Sequence, residues 1–171
     1  MSEISLQHAE RILTSVRQFQ AVLKVVRARE LFAGEGVSVR AKLKKHSDWN
    51  RYSSGRQDQL EMIHVKLNRI ESVRAEHDAL VKCLPLTKKL FGETLYDVID
   101  QLAKIYEELE SVTQKYSSNL DDNSVEYRRD YFLYAYGIDG SGSNGDRVTQ
   151  DIDRCVKIIE ETCEAHLKSA S

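Results

Sequence analysis

The sequence predicts an all-α protein, an antiparallel bundle of four or five helices whose first three are long. Three observations carry that expectation. Apolar residues recur at alternating steps of three and four over long stretches, which is the helical period. One proline (Pro85) and eight glycines leave those stretches almost uninterrupted. No alternation of apolar and polar residues runs long enough for a sheet. Only "VSVRAKL" (37–43) alternates briefly, and it stays open as helix, strand or mobile arm.

The first helix is expected over about residues 5–33, with Ala9, Ile12, Val16, Phe19, Leu23 and Val26 forming one stripe. Leu6, Leu13, Val22 and Val25 widen the stripe enough for burial, and Gly34 and Gly36 offer a stop. The second stripe runs Leu60, Ile63, Leu67, Ile70, Arg74, His77, Val81 and Leu84, ended by Pro85. The third runs Leu95, Val98, Leu102, Ile105, Leu109, Val112 and Tyr116. After the break "SSNLDDNS", Asn123 and Glu126 can form a capping box for a fourth helix carrying Tyr127, Tyr131, Tyr134 and Ile138. The last stripe is Val148, Ile152, Cys155, Ile159 and Cys163. Regular seams joined by short loops suit a bundle.

With 171 residues, 41% hydrophobic and 30% charged, the chain reads as a single globular domain over 1–171. Its irregular parts are a basic connection, 34–56, and a Gly/Ser loop, 137–146. No stretch has the length and apolarity of a membrane span, and "MSEISLQHAER" lacks a basic start followed by an apolar run. Three cysteines without metal-type spacing read as reduced thiols, so a cytoplasmic location is expected. The net charge of −2 is unevenly spread. Residues 1–56 hold 11 Lys/Arg against 5 Asp/Glu, whereas 57–171 hold 14 against 22. The two halves either complement each other within the bundle, or one half faces an acidic partner.

Gly140-x-Gly142-x-x-Gly145 has the form of a dinucleotide-binding loop. That loop needs a preceding strand, and "YRRDYFLYAY" repeats its aromatics at helical steps instead. A calcium loop starting at Asp139 would place Asn144 where glycine is needed and Gln150 where glutamate is needed. The stretch therefore reads as a connection, with Ser143 or Asp146 capping the helix that follows.

Several constellations are candidates for chemistry. Arg74 and His77 share the second stripe, so they form a polar seam that fixes helix register or binds a ligand, with Glu107, Glu108 and Glu110 as candidate acids for Arg74. Glu61-x-x-His64 has the spacing of a bundle metal ligand pair, but no second such pair occurs, and neither metal nor cofactor is expected. Arg40 and His46 fit the loose Arg-x4–6-His pattern of the HEPN ribonucleases. In those two positions and in fold class the chain resembles that family of dimeric helical bundles, although Ala41 stands where the family often has a polar residue. The resemblance implies a ribonuclease acting through Arg40 and His46.

In "RAKLKKHSDWNRYSSGR" (40–56), Arg40, Lys42, Lys44, Lys45 and Arg51 are interleaved with Trp49 and Tyr52, cations for phosphates and rings for bases. The same segment reads as a solvated basic stretch with Trp49 packed inside. Tyr127, Tyr131 and Tyr134 are candidates for a protein interface. Together these features predict a non-enzymatic helical interaction or regulatory module that associates with itself or another protein. Nucleic-acid binding through 40–56 is the alternative, and the HEPN-like ribonuclease the second.

Overall fold

The computed structural model describes residues 2–121, 125–138 and 146–169. Among them every regular element is helical: α1 Glu3–Arg27, α2 Glu35–Leu43, α3 Ser54–Ser72, α4 Arg74–Val81, α5 Leu84–Phe91, α6 Glu93–Ser118, α7 Val125–Tyr136 and α8 Arg147–Lys168, with a 3-10 turn at Trp49–Arg51. Among the described residues no helix is long and apolar enough to cross a membrane.

The stripes of α1 and α8 are placed as their spacing requires, whereas α6 turns Ile99 and Tyr106 fully inward and leaves the expected Val98 and Ile105 only partly buried. Ala9, Ile12, Val16, Phe19, Leu23 and Val26 are wholly buried, and Val148, Ile152, Cys155, Ile159 and Cys163 all lie in the same core. Ser2 caps α1 through an N–H of Ser5, Ser53 caps α3, and Asp146 caps α8 by accepting from Thr149 N. The other cap candidates, Ser143 and Asn123, fall outside the described residues, as do the glycines of the 140–145 pattern.

The second stripe differs. It is divided among α3, α4 and α5, because the backbone leaves helical geometry at Val73 (φ −110°, ψ 10°). That step rotates the inward face, so Leu80 is wholly buried while Val81 is only partly so. Pro85 does not end a helix; it sits in the first turn of α5, where its missing N–H costs nothing. "VSVRAKL" lies within α2, and α1 stops at Arg27, short of the expected residue 33.

Cross-helix pairs give the directions. Arg17 meets Glu160 and Arg27 meets Asp146, so α1 and α8 are antiparallel. Lys66 reaches Val26 and His77 packs on Phe19, so α3 and α4 run against α1. Gln59 bonds Tyr116 and Tyr106 bonds Ile70, so α6 opposes α3. A small second cluster, Val39, Leu43, Trp49 and Val65 with Leu60 against it, fastens α2 to α3.

Candidate functional site

Arg40 is committed. Its guanidinium pairs with Asp58 at 2.7 Å and with Glu61, and these carboxylates hold it firmly protonated. His46 is exposed beyond the end of α2, and no hydrogen bond or ion pair joins it to Arg40. Glu61, bound to Arg40, is turned away from acting as a ligand beside His64, whose basicity burial and nearby His46 lower. Among the described residues no group of three or more His, Cys, Asp or Glu is placed to hold a metal. Burial pushes the Cys163 thiol up to about 11 and raises that of Cys155, away from the thiolate form that reacts.

The basic segment divides. Lys42, Lys44, Lys45 and Arg51 are exposed, and Arg51 pairs with Asp48 at 3.2 Å. Tyr52 is exposed, but Trp49, at 4% exposure, is the anchor of the second cluster. It offers no face to a base.

The polar seam also divides. Arg74 lies at the bundle edge, held by Glu71 at 2.9 Å and by Glu110, one of its candidate acids, and both raise its pKa. His77 is buried, with its ring 4.6 Å from that of Tyr106. Its Nε2 approaches Glu107 at 3.3 Å without hydrogen-bond alignment.

The buried lysine and arginines among the described residues, Lys66, Arg69 and Arg27, were not signalled as a group by sequence. Lys66, at 1% exposure, donates from Nζ to the carbonyls of Val26 (2.6 Å), Ala28 (3.2 Å) and Ala135 (3.2 Å), with the Tyr136 ring 4.3 Å away. Arg69 grips Glu35 with two bonds, 2.9 and 2.6 Å, and donates to the carbonyls of Ala28 and Glu30. Arg27 donates to Tyr134 O, Thr149 Oγ1 and Asp146 Oδ1. These three cations gather the carbonyl ends of α1 and α7, where unpaired carbonyls and the helix dipole favour positive charge. The signal was present: Lys66 falls three after Ile63 and four before Ile70, on the buried stripe itself.

Beside this node an open pocket of about 480 Å³ lies between α3, α6 and α7. Met62, Ile63, Tyr116, Tyr131, Phe132, Tyr136 and Ile138 line it. Tyr131, an expected interface residue, is 2% exposed and stacks on Tyr116 at 4.6 Å; Tyr127 and Tyr134 are half-buried. The tyrosine face of α7 is therefore turned into the bundle, where the apolar ring bodies displace water.

Polar groups are sparse at this site. Gln59 donates to the Tyr116 hydroxyl at 2.6 Å, and the hydroxyls of Tyr131 and Tyr136 lie 3.3 Å apart. Arg29 and Arg128 stand on the lining as well. Among the described residues Arg29 bonds the Tyr136 carbonyl alone, 3.2 Å away, and Arg128 lies over the Phe132 ring at 5.7 Å.

No protein-family model, no curated protein and no solved structure matches this chain.

Proposed function

We propose that the chain is a non-enzymatic helical binding module whose recognition site is the aromatic pocket between α3, α6 and α7. One observation carries the reading. A concave, largely apolar site of about 480 Å³ holds a few convergent polar groups, the form and size usual for ligand sites. The constellations that suggested chemistry point elsewhere, since Arg40 and Glu61 neutralise each other and Arg74 is tied to two glutamates. The test is a neutral fragment set followed by amide and methyl NMR shifts. Shifts clustering at Met62, Ile63 and Phe132, and abolished in a folded Met62→Trp variant, support the site. Shifts scattered over the surface, or none, would sink it.

Nucleic-acid binding is the second reading, favoured by Lys42, Lys44 and Lys45, for which no acidic partner occurs among the described residues. Without Trp49 it rests on phosphate contacts, so binding must fall steeply with salt. Labelled RNA or DNA that stays unbound at low salt, or binds equally after Lys42, Lys44 and Lys45 become glutamate, removes it.

A further inference from the structure

We infer that the ligand of the aromatic pocket is a small amphiphilic anion, an apolar body bearing one carboxylate, with Arg29 and Arg128 receiving the charge. The inference rests on the pocket being a binding site and adds the chemical class of what it binds.

Charge complementarity is the first argument. Three charged residues line the pocket, Arg29, Arg128 and Asp58. Asp58 shares Arg40 with Glu61, so its charge is partly offset, and the two guanidinium groups beside the apolar floor outnumber it. Neither arginine has a carboxylate partner among the described residues: one touches a carbonyl, the other a ring face. An arginine already stacked on an aromatic ring keeps its N–H edge available for bidentate bonding to a carboxylate.

Size is the second argument. Docking of a protein surface takes about 800 Å² from each partner, with an apolar centre. Among the described residues, the large apolar side chains left exposed include Ile4, Val25, Leu31, Phe32, Val37, Val125, Ile138 and Ile158, and of these Ile138 alone lines the pocket. Among the described residues, the lining therefore offers a second protein one strongly exposed large apolar side chain, Ile138. A small molecule inserting its apolar part between Met62 and Phe132 satisfies both features.

Calorimetric titration with octanoate, 1-octanol and octylammonium tests the inference at constant chain length. Octanoate is expected to bind at least tenfold more tightly than octanol, and octylammonium more weakly than either. The Arg29→Gln/Arg128→Gln double variant is expected to bring octanoate down to the octanol level and leave octanol unchanged. Both arginines are exposed, and an unaltered thermal transition verifies that the variant is folded. If octanol binds wild type as tightly as octanoate, or if the double variant keeps the octanoate preference, the anion inference is wrong while the pocket survives. If none of the three binds and neutral fragments also leave Met62 and Phe132 unperturbed, the pocket reading fails with it.

Discussion

Tyr136 stands between two groups of cations that the fold treats in opposite ways. On one side its ring lies 4.3 Å from the Lys66 ammonium, in a node where Arg27, Lys66 and Arg69 are buried and bonded to carbonyls and carboxylates. On the other it lines the pocket with Arg29 and Arg128, which are exposed and have no carboxylate partner among the described residues. The residue types are alike and only a ring separates the settings. A buried cation without acceptors would cost several kcal/mol, so the node's cations are held by multiple partners and hold helix ends in return. Rim cations stay solvated at little cost and can give up that water to an incoming anion. What separates structural from recognising charge here is the number of partners already taken.

The comparison would break most visibly at Arg69. Arg69→Met removes the paired bonds to Glu35 and leaves the carbonyls of Ala28 and Glu30 without that donor. Glu35 is the first residue of α2, so that helix should loosen from α3. Loss of about 3 kcal/mol is expected, as for breaking a buried pair by removing one member. Urea unfolding checks it, and a midpoint shifted by no more than that of a surface variant would deny the node its role.

Lys66 gives a smaller effect with a pH signature. Burial, then the nearby Arg69 and Arg27, lowers its ammonium from the ordinary 10.5 to about 7. Between those values the unfolded chain binds the extra proton, so this residue makes stability rise with pH from about 7 to about 10.5. Below that window both states are protonated and the unfavourable burial of charge is fully present. Lys66→Met removes the charge-burial penalty that is present below about pH 7 and, above it, the bonds that the neutral amine's two N–H groups give to the surrounding carbonyls. Its cost should be about 2 kcal/mol near pH 9, typical of buried acceptors left unpaired, and should shrink toward pH 7. A cost that stays flat between pH 7 and pH 10 would contradict the assignment.

Much of the fold was legible because burial in a bundle enforces the three-four period directly. In α1 and α8 every position of the central stripe is buried, although Val25, expected to widen the first of them, is exposed at the end of α1. The second stripe misled because periodicity is blind to a single non-helical residue: Val73 breaks the helix while Leu60 to Leu84 still count correctly. The site was scarcely legible. Arg40 and Trp49 have the composition of a nucleic-acid surface, yet one is spent on Glu61 and the other on a small core. The pocket draws on residues 29, 62, 116, 132 and 138, brought together only by tertiary packing. Lys66 could have been noticed as a cation on an apolar stripe, but nothing local announces that Ala135 will supply one of its acceptors.

The glycine at the end of α7 sharpens the boundary between node and pocket. Gly137 has φ 69°, and a Cβ there would lie 2.2 Å from the Asp146 carboxyl carbon. That carboxylate accepts from Arg27 and caps α8 through Thr149, and these bonds hold its pKa below the usual range despite its burial. Gly137→Ala should therefore push Asp146 off Arg27 and cost about 1 kcal/mol, the scale of losing a helix cap. Thermal unfolding reads that cost, and Asp146→Asn in the same background tests whether it is the Arg27 bond that was lost. Nearly additive losses would mean that the glycine acts through the backbone alone.

The smallest expected change is the one on which the contrast depends. Arg29→Gln and Arg128→Gln should each alter stability by no more than about 0.5 kcal/mol, as is usual for surface positions outside any network. Arg29 gives up one hydrogen bond to the Tyr136 carbonyl, which glutamine or water can replace. Arg128 gives up a contact with the Phe132 ring at 5.7 Å, near the outer limit for cation–π attraction. If either substitution destabilised the protein as much as Arg69→Met, that arginine would be a structural cation like those of the node. Its lack of a carboxylate would then carry no meaning for recognition. If both are neutral for folding, the rim is free to be read by ligand chemistry alone, and any change in anion binding in these variants can be assigned to the lost charge.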